Sequence, residues 1–253
     1  MLNKIAVRTK AKVQRAKVRQ PLEILKEQLK IGCFAFGKRL KASRWSLIAE
    51  CKLASPVKGR LCEDYTVPEL AKMYTANGAE ALSVHTNSHF GGHLTDIKAV
   101  RKVSDLPILR KEFIVDSYQL YESRAVGADA VLLIAAILDD RQLNEYLAIA
   151  SELGLDCLVE VHTREELEKV LKTSAQIIGI NNRNLQSFST NISNTFELAP
   201  YFEPNRLYIS ESGIKTGSDA CRLHKTGVRG ILVGEGLVSS GDIAAKTREL
   251  ATI

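Results

Sequence analysis

After residue 45 the chain repeats one alternation eight times: a short aliphatic run, then a segment whose apolar positions fall three and four apart. The runs are Ser46–Lys52, Ala81–His85, Pro107–Phe113, Ala130–Ile137, Asp156–Val161, Gln176–Asn182, Leu207–Ser212 and Gly230–Gly234. Among the helical segments are Ser117–Ala125 and Thr163–Leu171, the latter opening on a Thr163/Glu166 capping-box pattern. Another starts near Asp139–Asp140 and carries Leu143, Leu147, Ile149 and Leu153. Strictly alternating strand and helix signals imply parallel strands joined by helical crossovers. The runs are mostly apolar on both faces, as expected where helices cover one side and a packed interior the other. Eight repeats predict an α/β fold of the closed (β/α)8 TIM-barrel type, with an open doubly wound sheet as the runner-up. Residues 1–45 lie outside the repeat and predict one or two additional helices. The expected organisation is one barrel domain over 1–253 with an N-terminal helical extension over 1–45.

Composition changes this picture little. The chain has 253 residues, 45% hydrophobic and 25% charged, near the soluble globular average and enough for a sizeable core. No stretch approaches the roughly 18 consecutive apolar residues of a membrane-spanning helix.

The formal net charge of +6 is unevenly placed. Lys4, Arg8, Lys10, Lys12, Arg15, Lys17 and Arg19 bring seven positive charges to the first twenty residues, with no acidic one. The remainder holds 28 basic and 29 acidic residues, a balance of −1. Such an arm suits RNA, a membrane surface or a transit peptide. The simpler reading is a basic helix packed on the barrel, because Leu2, Ile5, Val13 and Ala16 give it an apolar side. No nucleic-acid or membrane partner is therefore expected. Five dispersed cysteines without a Cys-x-x-Cys pair fit a reducing cytoplasm rather than a disulfide framework or thiolate zinc site.

The informative residues are the charged ones at the C-terminal ends of the runs. Glu50 and Lys52, two residues apart, point to one side of the first strand. The third run ends Arg110-Lys111-Glu112, the fifth Glu160-Val161-His162, the sixth Asn181-Asn182-Arg183 and the seventh Glu211-Ser212. Burying unpaired charge is costly, and one wet pocket at the barrel mouth accounts for all five strand ends together. Glu50–Lys52 and Lys111–Glu160 supply carboxylates and ammoniums close enough to shift each other's proton affinity. Glu211-Ser212-Gly213-Ile214 and Val233-Gly234-Glu235-Gly236 follow strands seven and eight, where such barrels commonly bind phosphate.

These segments resemble indole-3-glycerol-phosphate synthases, lyases of tryptophan biosynthesis. The resemblance rests on Ala49-Glu-Cys-Lys-Leu-Ala-Ser-Pro56, Leu109-Arg-Lys-Glu-Phe-Ile-Val-Asp116 and Gly127-Ala-Asp-Ala-Val-Leu-Leu133. It continues through Leu158-Val-Glu-Val-His162, Gly179-Ile-Asn-Asn-Arg-Asn-Leu185, Glu211-Ser-Gly-Ile214 and Leu232-Val-Gly-Glu235. It implies a phosphosugar–anthranilate substrate, 1-(2-carboxyphenylamino)-1-deoxyribulose 5-phosphate, and three steps: ring closure, decarboxylation and dehydration. It also implies Lys111 as the general acid at the ketone oxygen and Glu160 as the principal proton-transfer carboxylate. Lys52 would hold the substrate carboxylate, and Glu50 would set its charge and position. Asn181 and Glu211 would orient the intermediate, with Arg183 supporting that end. Ser55, Ser212, Gly213, Gly234 and Glu235 match positions around the phosphate; Phe90 and Leu232 match substrate-contacting apolar positions. No metal or organic cofactor is implied, and the protein is expected as a monomer or weak homodimer. The chain departs from the family's usual residues at Val57 and Glu112, and in a loop over residues 86–93 about one residue shorter.

His85, His89 and His93 fall four apart, but Gly91-Gly92 interrupts any helix that would make them metal ligands. Cys221 and His224 read as packing and surface. A phosphosugar isomerase would need a Cys–Asp pair where strand one offers Glu50, Cys51 and Lys52. A non-catalytic relative would be favoured by loss of Lys111 or Glu160, and both are present.

Overall fold

The computed structural model describes residues 2–27, 29–55, 59–184 and 189–253, with side chains from Ile5 onward. The side chains of Leu2 and Lys4, and residues Pro56, Val57 and Leu185, lie outside the described residues. Eight parallel strands close into a barrel: β1 Ser46–Cys51, β2 Ala81–His85, β3 Ile108–Lys111, β4 Ala130–Ile134, β5 Asp156–Val161, β6 Ile177–Asn181, β7 Leu207–Glu211 and β8 Gly230–Val233. Closure comes through β8 and β1, with Ser46 opposite Gly230 and Leu47 opposite Ile231. That pairing rules out the open doubly wound sheet. A short antiparallel pair, Ala54–Ser55 with Gly59–Arg60, stands on the loop after β1.

Among the described residues three helices precede β1, where one or two were expected: α1 Leu2–Arg19, α2 Leu22–Glu27 and α3 Ala35–Ala42. Pro21 separates the first two because it brings no amide hydrogen to continue α1. Phe36 and Leu40 of α3 are fully buried against Ile48, Leu109, Leu158 and Ile209, so this helix plugs the N-terminal end of the barrel. Asp156 at the start of β5 fixes the plug by accepting from the Gly37 amide at 2.8 Å.

The strands follow period two. Leu47, Ala49, Cys51, Val131, Leu133, Val159 and Ile178 face the outer helices, whereas Ile48, Leu109, Leu132, Leu158, Ile209 and Leu232 fill the interior. Cys51 and Cys157 are buried as small apolar residues. The helix from the fourth repeat, Asp140–Glu152, starts where expected: Asp139 accepts from the Gln142 amide at 2.7 Å in a complete capping box.

The predicted box at Thr163 forms only by half. Thr163 Oγ1 accepts from the Glu166 amide, but Glu166 Oε2 accepts from the backbone of His162 at 2.7 Å, one residue earlier. The side chain of His162 competes for the same carboxylate, which explains the shift.

Candidate active site

The inward parity that fills the barrel with aliphatic side chains carries polar ones at its C-terminal end. Continuing Ile48, Leu109, Leu158, Ile177 and Ile209 by two or four residues reaches Glu50, Lys111, Glu160, Asn181 and Glu211. They line a cavity of about 710 Å³ at the mouth. Lys52, Ser55, Phe90, Arg183, Ser212, Gly213, Leu232, Gly234 and Glu235 line the same cavity, so the residues to which the resemblance gives a role in catalysis or substrate binding are brought to one place.

Lys111 is the hub. Its Nζ donates to Glu211 Oε2 at 2.5 Å and to Glu160 Oε2 at 3.2 Å, with the lysine side chain only 12% exposed. Burial alone would favour the neutral amine, but Glu211, Glu160 and Glu50 outweigh it and hold Lys111 firmly as an ammonium. Burial likewise opposes charge on Glu160. Lys111, His162 and an Asn181 hydrogen bond overcome it, holding this carboxyl well below the usual range. Glu211 goes the other way. Burial raises it to about 7, the charges of Glu160 and Glu50 add to the rise, and Lys111 only partly opposes it. Two neighbouring carboxyls thus have their proton affinities pushed apart, an arrangement that separates a base from an acid.

On β1, Glu50 is buried, yet His85, Lys52 and Lys111 overcome the desolvation and keep it ionised. His85 Nε2 lies 2.9 Å from Glu50 Oε1 and Lys52 Nζ lies 3.9 Å from Glu50 Oε2. Lys52 also stands 5.5 Å from the centre of the Phe90 ring. Gly234 is the floor beneath Glu50: a Cβ there would lie 2.0 Å from Glu50 Oε2. This glycine is therefore required by the neighbouring carboxylate, independently of any anion.

Across the mouth, Ser212 and Gly213 adopt left-handed backbone conformations with φ of 68° and 76°. The turn brings both residues to the cavity wall with Gly236, Lys215 and Lys246. Arg183 lies 3.8 Å from Glu235 at the same rim.

Some charged strand-end residues do not join the pocket. Arg110, expected at the mouth with Lys111, points outward and is buried under the helix Tyr118–Val126. It donates there to Ser123 Oγ at 3.0 Å and Glu122 Oε2 at 2.7 Å. Opposite parity to Lys111 is the reason. Asn182 also faces outward, donating to Ser210 Oγ and the Ser212 carbonyl. Glu112 sits at the edge of the cavity, where Thr86, Asn87 and its neighbour's amide, that of Phe113, all donate to it. The three spaced histidines diverge. His85 meets Glu50, His89 meets Asn87 and Arg8, and the His93 amide donates to Asp96. Among the described residues, no group of three His, Cys, Asp or Glu is placed to hold a metal ion. Cys221 is exposed, and His224 packs edge-on against Trp45.

His85, Lys215 and Lys246 line the cavity as polar residues that the sequence pattern does not single out, and His162 stands behind Glu160. Strand parity could have found His85, which shares a face with Ala81 and Ser83 at the end of β2. His162 shares parity with Glu160; its ring lies 3.4 Å from Glu160 and 3.2 Å from Glu166. Those two carboxylates overcome burial and raise the imidazole to about 10. The basic helix α1 is committed to the barrel. Ile5 and Val13 are buried, Arg8 donates to His89, and Lys17 lies 2.7 Å from Asp116.

Residues 2–250 match the family model described as indole-3-glycerol phosphate synthase. An indole-3-glycerol phosphate synthase of Dehalococcoides mccartyi (strain CBDB1) is 45% identical over 257 residues, covering 99% of each chain. One from Endomicrobium trichonymphae is 41% identical, again over 99% of each. Among solved structures, 3-hexulose-6-phosphate synthase from Salmonella typhimurium superposes with a TM-score of 0.66 at 15% identity, over 81% of this chain and 96% of that one. Thiamine phosphate pyrophosphorylase from Pyrococcus furiosus gives 0.61 at 18% identity, over 84% and 95%. At such identities these two speak for the barrel fold alone.

Proposed function

Because the chain belongs to the indole-3-glycerol phosphate synthase family, we propose how the residues of its barrel mouth divide the work of that enzyme. The reaction is ring closure, decarboxylation and dehydration of 1-(2-carboxyphenylamino)-1-deoxyribulose 5-phosphate in tryptophan biosynthesis.

In ring closure the aromatic carbon attacks the ketone and negative charge develops on its oxygen. Lys111 is the acid that meets it. An ammonium held this firmly charged gives its proton only to a strong base, and a developing alkoxide is one. Lys52 holds the substrate carboxylate beside the Phe90 ring, with Glu50 fixing the ammonium's position. Loss of CO2 leaves electrons that the cationic ring nitrogen accepts. Dehydration then requires a proton removed at one point and a hydroxyl expelled as water at another, and the Lys52 ammonium supplies the proton that the leaving hydroxyl takes. Glu160, kept ionised, is the base; Glu211, which holds a proton up to about neutral pH, and Asn181 orient the intermediate. Ser55, Ser212, Gly213, Gly234 and Glu235, with Arg183 behind them, form the phosphate end, and Leu232 supports the sugar from the barrel interior.

The observation that carries this assignment is the single ammonium of Lys111 between Glu160 and Glu211, with Glu50 and Lys52 in the same cavity. It is tested by incubating the protein with the carboxyphenylamino-deoxyribulose phosphate and following indole fluorescence. Wild type should turn over and Lys111→Ala should not. Activity persisting in the variant would assign the acid elsewhere.

We further place the protein in the cytoplasm, as one barrel domain with its helical extension and as a monomer or weak homodimer that does not use nucleic acid. The free, dispersed cysteines and the intramolecular use of Arg8, Lys12 and Lys17 support this. No described helix is long and apolar enough to cross a membrane.

A further inference from the structure

His85 is a buried polar group at the mouth that none of these roles employs. It projects inward from the last position of β2, opposite Lys111 in the strand register. One edge of its ring meets Glu50 at 2.9 Å, and its face stacks on Phe90 with centroids 4.5 Å apart and planes 12° from parallel. The chain carrying Phe90 folds back on the same residue. A Cβ at Gly92 would lie 2.2 Å from the His85 carbonyl oxygen and 3.0 Å from its Cβ. Phe90 belongs to a single 3-10 turn, Ser88–Phe90, and its other ring neighbour, Phe113, is more distant, with centroids 6.5 Å apart.

Both contacts need an imidazole. An aliphatic residue would fill the space but leave Glu50 Oε1 without its hydrogen bond, and a buried carboxylate tolerates that poorly. An amide would donate to Glu50 but offer no aromatic face to Phe90.

We propose that His85 is a positioning residue for the reaction, tying the Glu50 carboxylate, and with it the Lys52 ammonium, to the Phe90 ring. The substrate's aromatic ring and its carboxylate are one rigid unit, so the protein groups that receive them gain from being held as one unit too. The inference rests on the assignment of Lys52 to that carboxylate and of Phe90 to that ring.

The test is a double-mutant cycle read by steady-state kinetics on the natural substrate. His85→Leu should raise KM about tenfold, and His85→Gln, which restores the donor to Glu50, should recover part of the loss. Adding His85→Leu to Phe90→Ala should cost less than about threefold more, because the ring that His85 orients is already gone. Should His85→Leu fold poorly, the same cycle is run with His85→Gln. Independent, multiplying effects of the two substitutions would overturn the inference. So would wild-type KM and kcat in His85→Leu, even with a lowered unfolding midpoint, since that is purely structural behaviour. An inactive wild type would instead remove the functional assignment on which the inference stands, and both would fall.

Discussion

Lys111 on β3 and Glu211 on β7 stand four places apart in the closed barrel, yet their side chains meet at 2.5 Å across its mouth. The contact spans the barrel because both side chains are inward and at the last strand position, where the aliphatic layers end. It places one cation against two buried carboxyls, since Glu160 reaches the same nitrogen.

Removing that cation affects chemistry and stability together. Lys111→Ala should lower kcat by about 10²–10⁴-fold, the range for a lost general acid. It should also leave Glu160 and Glu211 sharing the cavity without Lys111, so one of them must stay protonated to higher pH. The variant's unfolding midpoint is expected to fall more steeply than wild type between pH 5 and pH 8. A parallel fall measured by thermal unfolding would show that Lys111 does not carry the pair's electrostatics.

His162 gives a separate pH signature. Its folded-state value, about 10, lies above the ordinary 6.5. The stabilisation from its charged ring is therefore complete below about pH 6.5 and disappears as pH rises through 10. Wild type should lose several degrees of thermal midpoint between pH 7 and pH 9, before the buried thiols Cys51 and Cys157 begin to contribute. His162→Gln should start lower and show a flatter profile across that window. Equal slopes for the two proteins would mean that the imidazole is not held as a cation between Glu160 and Glu166.

Much of this arrangement was legible in the chain. The eight aliphatic runs announce the strands, and the repeat of helical spacing between them announces the barrel. Lys111, Glu160 and Glu211 stand out because ionised groups end otherwise apolar strands. What was less legible depends on partners contributed by distant elements. Arg110 and Lys111 are adjacent and both cationic, but Glu122, Ser123 and Thr86 satisfy the first under a helix. His85 read as one of three spaced histidines, since nothing local to residues 85–93 reveals that Glu50, thirty-five positions away, accepts its hydrogen bond. The Thr163 box failed through competition, because His162 offers Glu166 both an amide and a ring nitrogen.

Besides its proposed place at the phosphate end, Gly234 leaves the space of its missing Cβ to the protein's own Glu50 carboxylate. Gly234→Ala should push Glu50 from its seat against His85 and Lys52, costing about 1–3 kcal/mol as overpacking does, and lowering kcat/KM at least tenfold. Shortening the clashing side chain separates the two effects. Glu50→Ser combined with Gly234→Ala should regain much of the stability in denaturant unfolding without regaining activity. A double variant no more stable than Gly234→Ala would place the strain elsewhere.

The N-terminal helix can be probed by setting its charges against its apolar side. Lys12 is 60% exposed on its side chain and lies 3.9 Å from Glu112, so the pair belongs to the class worth at most about 1 kcal/mol. Val13 is 4% exposed and packs with Leu25 and Tyr118, while Ile5 reaches the cavity wall. Placing a carboxylate at position 13 removes apolar burial and adds a charge with no partner, a penalty of about 2 kcal/mol or more. Val13→Asp should therefore release α1 from the mouth. Trypsin would then cut readily among Arg15, Lys17 and Arg19, and KM would rise as Ile5 leaves the wall, with kcat changing less. Lys12→Ala should leave both readouts within about twofold of wild type. The opposite order, with Lys12→Ala the more damaging, would mean that α1 is held electrostatically, and raising the salt concentration would then loosen it in the wild-type protein.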